Sequence, residues 1–315
     1  MKKQEILLPG IPFIIVFLLL NCKRNKQIPE ILWAAPDTTT IPQTEEGLLI
    51  RYGRDLIANT AQYLGPGGSV GTFSNGMNCQ NCHLSAGTKP WGNNYGAAFS
   101  TYPKFRERSG TIESLEKKIN DCLERSLNGI PIDSDSREMQ AMVAYMHWLG
   151  KDLQKGARPA GSGIKELSFL NQAADPVKGT LVYMKKCMQC HGPDGEGKKR
   201  IDTAGYQYPP LWGDGSFNTG AGIYRITKMA GYIKNNMPQG ANHSNPQLSD
   251  AEAWNVAAFI ITQPRPEKKF PRDWPIIYTK PIDHPFGPYA DTFPTLQHKY
   301  GPFLPIQKAM RKQKH

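Results

Sequence analysis

The sequence predicts an all-α fold of two tandem helical domains, on three observations. Two motifs of one kind, Cys79-Gln80-Asn81-Cys82-His83 and Cys187-Met188-Gln189-Cys190-His191, stand one in each half of the chain. Each is preceded by a stretch with helical spacing of apolar residues and followed by two more. The last stretch of each set opens on an acid-capped start ahead of one apolar face.

Taken in order, residues 1–21 read as a secretory signal. Met1-Lys2-Lys3 supplies the charged region, and Ile11 to Leu20 an apolar region too short for a confident spanning helix. The segment ends in Leu19-Leu20-Asn21-Cys22, which resembles a bacterial lipobox, with Asn21 where Gly, Ala or Ser is usual. Two readings stay open. In one, the signal is cut and Cys22 carries lipid, placing the protein on the periplasmic side of a bacterial membrane. In the other, an uncleaved N-terminal anchor serves. Residues 22–45, Pro/Thr-rich from 27, then form a tether.

The first domain is expected over 46–150. Positions 49, 52, 56 and 60 share a helical face ahead of Cys79, a second helix is expected over 112–128, and a third begins at Asp135, with Glu138 three residues on. Met139, Met142, Val143, Met146 and Leu149 fall on one face of that third helix, which makes the methionines core residues rather than ligands. His147 lies off the stripe and reads as an ordinary surface or half-buried residue. Residues 151–174, with Gly156, Pro159, Gly161 and Gly163, are the expected linker. The second domain, over 175–265, repeats the order: positions 177, 182 and 183 ahead of Cys187, a helix over 221–235, and a third helix from Ser249 with Glu252, its face Ala251, Trp254, Ala258 and Ile261. Residues 266–315 remain as a Pro-rich basic tail expected to be solvated.

Net charge is +11 over 315 residues, but residues 1–26 carry +4 and 265–315 carry +6, which leaves the body between them at +1. A nucleic-acid protein needs its cations on the working surface. Here they sit at the ends, so no nucleic-acid partner is expected.

Cys-x-x-Cys-His is the attachment signature of c-type haem. The two thiols add across the vinyl groups of one porphyrin edge, and the adjacent His then reaches the iron. A structural zinc site would need a second Cys or His pair at matching spacing, which neither motif has. Two covalently bound c-type haems are therefore expected: one on Cys79, Cys82 and His83, one on Cys187, Cys190 and His191.

The repeat also points to the opposite ligands. Cys122 and Met237 stand at similar distances before the third helix of their domains, and Met237 is followed by Pro238. Met237 is the expected second-haem ligand, with Met229 and its neighbour Lys228 as rivals. In the first domain Met77 is too close to the attachment site, leaving Cys122. A thiolate ligand lowers the potential and a thioether raises it, so electrons would move from the His83/Cys122 haem to the His191/Met237 haem. On the helix of Cys122, Lys118, Arg125 and Ser126 stand at i−4, i+3 and i+4, hence on its face. Cations there would favour the thiolate and hold an anionic substrate, and Arg106 and Arg108 could converge on the same place. A solvated basic face balanced by Glu113, Glu116 and Glu124 is the other reading of these residues.

Asn75-Gly76-Met77-Asn78-Cys79 through His83, Tyr102-Pro103-Lys104-Phe105-Arg106 and Cys122-Leu123-Glu124-Arg125-Ser126-Leu127-Asn128-Gly129 together resemble the dihaem thiosulfate dehydrogenases, also called tetrathionate synthases. Asn236-Met237-Pro238 and Leu248 through Trp254 extend the resemblance, which spans about residues 47–265. It implies two cytochrome c-like domains and an exported enzyme that joins two thiosulfates into tetrathionate, in some members preferring the reverse. It also implies a periplasmic electron acceptor such as a small cytochrome. By resemblance Cys122 is an axial ligand at the active site, with Arg108 and Ser126 matching and Lys118 where an Arg is common. Asn236 stands where some members have an exchanging Lys. Two other functions remain to be separated from this one: a non-catalytic dihaem electron carrier, and a sulfur-oxidation cytochrome acting on a carrier protein's thiol.

Overall fold

The computed structural model describes residues 31–201 and 203–312. The expected signal and the lipid anchor at Cys22 lie outside them. Among the described residues no helix is long and apolar enough to cross a membrane.

In the first half, α1 (Glu45–Ala58) starts at Thr44, whose hydroxyl accepts from the Gly47 N–H, and places Glu45 and Glu46 in its first turn, where the helix dipole favours them. α2 (Leu115–Arg125) starts at Ser114, which accepts from Lys117, and α3 (Arg137–Leu149) at Ser136, which accepts from Met139. The expected cap Asp135 thus stands outside the helix, its N–H turned to the Asp133 carboxylate at 2.9 Å. α2 is shorter than the expected 112–128 because Thr111–Glu113 pairs antiparallel with Lys104–Arg106.

The second half repeats the plan. α4 (Pro176–Lys186) is capped by Asp175, with Pro176 where a missing N–H costs nothing. α5 (Ile226–Asn236) follows a single 3-10 turn, Gly222–Tyr224, and α6 (Asp250–Thr262) opens on a complete capping box of Ser249 and Glu252. In both halves the first and third helices cross at a glycine. A Cβ on Gly53 of α1 would lie 1.9 Å from the Ala141 carbonyl oxygen of α3, and one on Gly179 of α4 would lie 2.0 Å from that of Asn255 on α6. Only hydrogen fits at these crossings, so the same device sets the helix separation twice.

Met139, Met142 and Met146 are buried and His147 is exposed. Residues 151–174 contain no helix or strand and run between the halves: Trp91 and Asn93 N–H groups donate to the carbonyls of Gly161 and Gly163, while the Asn235 amide donates to that of Lys165.

The tail differs from the solvated segment expected. Its last helix, α7 (Phe303–Lys312), buries Phe303 against Phe169 and Trp254, with ring centroids 5.4 and 5.8 Å apart, and buries Ile306 completely. Upstream, the Asp283 carboxylate accepts from Thr227 N–H at 3.3 Å and from Arg225 Nε at 2.7 Å, capping α5, which has no side-chain cap of its own. The tail is basic in sum, but its aromatic residues and isolated acids supply enough apolar area and pairing to dock.

Candidate active site

The first attachment motif follows α1 after a short helix, Thr60–Leu64, and a loop over 65–78, whereas the second follows its first helix directly. Cys79–Asn81 forms a 3-10 turn, fixed by Cys79 N–H donating to the Thr60 hydroxyl at 2.9 Å and by Asn78 accepting from Ala61 N–H at 2.8 Å. In the second half α4 runs to Lys186, and Met188–His191 turns tightly after Cys187. His83 donates Nδ1–H to the Asn93 carbonyl at 2.5 Å, and His191 to that of Pro209 at 2.8 Å. These bonds fix the tautomer and leave Nε2 as the nitrogen available to iron. Burial pushes the Cys79 thiol up to about 11, Cys82 to about 12 and Cys187 to about 11. Burial also lowers His191, favouring the neutral ligating form.

A cavity of about 900 Å³ opens beside the second motif. Cys187, Cys190, His191, Met229 and Met237 line it, so two thiols, an imidazole and a facing thioether surround one space of haem-binding chemistry. Both candidate methionines reach it. Lys228 does not: its ammonium is ion-paired with Glu166. Asn81 and Cys82 of the first motif line the same cavity, and Tyr232 donates from its hydroxyl to the Asn81 carbonyl at 3.3 Å. The two attachment sites therefore share a wall.

In the first half, Cys122 lies on α2 with its thiol beside the His83 imidazole. Burial alone would push this thiol up, but Lys118 one turn earlier and the His83 imidazole bring it down to about 6. Around it the chain gathers cations. Lys104 is pulled down to about 8 by burial and by Arg158, Arg106 and Lys118. Arg106 has one counter-charge, Glu113, at 3.8 Å, and Lys118 makes no ion pair among the described residues. An arrangement of this sign favours an anion beside the thiol. Lys104 and Arg158 escaped the sequence reading because they lie outside the helix of Cys122, where helical spacing carries no information. Ser126 caps α2, its N–H donating to the Cys122 carbonyl at 2.9 Å.

Arg125 is placed differently from the expectation that it faces substrate. Arg125 is buried and donates through both terminal nitrogens to the two Asp273 carboxylate oxygens, each at 2.8 Å. The Phe270 ring covers it, centroid 3.6 Å from Cζ. The i+3 position on α2 is as read, but the tail occupies the guanidinium. Arg108 lies beside the same carboxylate, Nε 3.9 Å from Asp273 Oδ2. Asp273, Phe270 and Trp274 were missed because a basic, Pro-rich segment offers no periodicity by which to seat it.

A model of the SoxA/TsdA cytochrome c domain matches residues 71–154, and a cytochrome c model matches 176–264. Each match encloses one Cys-x-x-Cys-His motif, so the fold is two tandem cytochrome c domains carrying two covalently bound c-type haems. The chain is 36% identical over 248 residues to the thiosulfate dehydrogenase of Stutzerimonas stutzeri, covering 79% of this chain and 78% of that protein. It is 39% identical over 242 residues to the thiosulfate dehydrogenase of Allochromatium vinosum, covering 76% and 86%. Among solved structures, thiosulfate dehydrogenase TsdBA of Marichromatium purpuratum matches with a TM-score of 0.69 at 27% identity over 75% of this chain. The present chain spans half the length of that one.

Proposed function

Because the chain belongs to the thiosulfate dehydrogenase family, and is an oxidoreductase on that ground, we propose that it oxidises thiosulfate to tetrathionate with Cys122 as the reacting sulfur. The observation that carries this reading is the half-buried Cys122 thiol beside His83, drawn down to about 6 with the Lys118 ammonium near it. A sulfur of that kind is a nucleophile held ready in a cationic pocket.

Cys79, Cys82, His83 and Cys122 would hold the first haem, and Cys187, Cys190, His191 and Met237 the second. When bound, these haems supply one-electron acceptors whose potentials their axial partners set. The chain's own part is sulfur chemistry. Cys122 thiolate and the terminal sulfur of one thiosulfate dianion form an S–S bond as two electrons leave, giving a Cys–S–S–sulfonate adduct of charge −1. The terminal sulfur of a second thiosulfate attacks the sulfane sulfur of that adduct, the one bonded to Cys122 Sγ; the bond to Cys122 breaks, and tetrathionate departs as the thiolate is restored. Lys118, Lys104 and Arg106 favour entry of the dianion, and Arg108 and Ser126 complete its reception. Run backwards, the same steps cleave tetrathionate.

Export through residues 1–21, a lipid anchor on Cys22 and a small periplasmic cytochrome as acceptor complete the proposal, on the signal pattern and the shared wall of the two attachment sites. The test is thiosulfate-dependent haem reduction followed by steady turnover with an artificial electron acceptor. Tetrathionate should accumulate at one per two thiosulfates consumed. Haem that is reduced by dithionite but never by thiosulfate would refute the reading.

A further inference from the structure

Residues 270–274 lie outside both matched family regions and are seated on α2 beside the residues that flank Cys122. Asp273 is shared unequally between two guanidinium groups. Arg125 takes both oxygens at 2.8 Å, has Asp121 3.8 Å from Nε, and lies under the Phe270 ring. It is saturated. Arg108 is held by its surroundings instead: Trp274 N–H donates to the Arg108 carbonyl at 2.6 Å, the indole lies 5.7 Å from Cζ, and Asp273 stands 3.9 Å from Nε. Yet the Arg108 side chain, only 14% exposed, makes no hydrogen bond among the described residues, and its Nε is enclosed without a partner.

A guanidinium has five donors in a fixed fork, and withdrawing them from water without acceptors is costly. A multi-oxygen anion supplies the acceptors. Two guanidinium groups also repel when brought together, and the Asp273 carboxylate between them removes that repulsion. The tail therefore does two things at once: it closes off Arg125 and leaves Arg108 presented.

We propose that Asp273 and Trp274 are positioning residues for the reaction, holding Arg108 as the fork that receives the sulfonate oxygens of thiosulfate and tetrathionate, while Asp273 keeps Arg125 out of that role. This rests on the reading that Cys122 marks the substrate site. It makes the C-terminal segment part of the anion site rather than an appendage.

The test uses full-length dihaem protein. Asp273→Asn should raise KM for thiosulfate about tenfold, the effect of one lost charge-assisted contact, with kcat changed less than about threefold. The Kd of tetrathionate for the fully oxidised protein, where no electrons are available for turnover, should rise in parallel by calorimetry. Asp273→Glu should restore most of both. Trp274→Leu keeps the backbone bond and removes the ring, and should raise KM by a smaller factor; it decides the matter if Asp273→Asn does not fold. A general loss of structure would lower kcat and the unfolding midpoint without this split. KM and Kd within twofold of wild type in both variants would overturn the proposal, and so would a fall in KM, which would make Asp273 a shield against the anion. Wild-type protein that neither binds tetrathionate nor turns over thiosulfate would sink the functional reading itself.

Discussion

The Cys122 thiol lies beside the His83 imidazole, which together with Lys118 brings it down to about 6 against the effect of burial. Cys122 is carried by α2 and His83 closes the first attachment motif, where the Asn93 carbonyl accepts from its Nδ1–H. A ring with Nδ1 already engaged can offer only Nε2 to the interior, so the histidine is oriented by main chain and the cysteine by its helix. On the proposed function, this pair would hold the first haem, with Cys122 as the reacting sulfur.

Intact mass of the mature protein should exceed that of its polypeptide by two haems. Changing Cys187 and Cys190 to Ala should remove one haem and leave the other attached. A single haem in the wild-type protein would contradict the paired-domain reading.

Met237→Leu should lower the potential of the second haem and slow electron exit, with the spectrum of the first unchanged. Met229 lines the same cavity, so Met229→Leu is the necessary comparison. If it gives the larger fall in potential, Met229 is the ligand. Lys228→Ala should do neither, its ammonium being engaged by Glu166.

Phe303→Ala should cost about 3–5 kcal/mol of stability, as for other large-to-small changes in a packed core. The ring is 2% exposed and packs on Phe169 and Trp254, so the tail is part of the second domain's core. Removal of residues 266–315 should therefore lower the unfolding midpoint. An unchanged midpoint for both variants would return the tail to a solvated role.

His284 gives the tail a pH dependence. Burial, then Lys280, brings its pKa down to about 4 from the usual 6.5. Between those values the unfolded chain binds the proton and the folded one does not, so stability rises with pH across this window. On acidification the contribution should shrink from about pH 6.5 and be gone below about 4. Unfolding midpoints measured from pH 4 to 7 should fall less steeply in His284→Phe than in wild type. Parallel curves would show that His284 does not titrate in this way.

The repeat was legible because its signals are local. Cys-x-x-Cys-His is contiguous, the Ser249–Glu252 box spans three residues, and the Met139–Met146 stripe needs only helical spacing. Asp135 was misassigned by one residue, since Ser136 is an equally good cap and the choice depends on how the 133–136 turn closes. Arg125 shows the limit more plainly. Its face on α2 follows from its spacing to Cys122, but its partner Asp273 is far along the chain in a segment without periodicity. Lys104 and Arg158 gather with Lys118 only through tertiary packing, beyond the reach of any spacing rule.

The central claim is that Cys122 reacts covalently, and Cys122→Met tests it most directly. Methionine keeps a sulfur ligand opposite His83 but has no thiolate to form the S–S bond. With both haems attached and the second haem's spectrum intact, thiosulfate oxidation by this variant should fall by orders of magnitude. Turnover near the wild-type rate would contradict the covalent role and leave Cys122 as a ligand that only tunes potential.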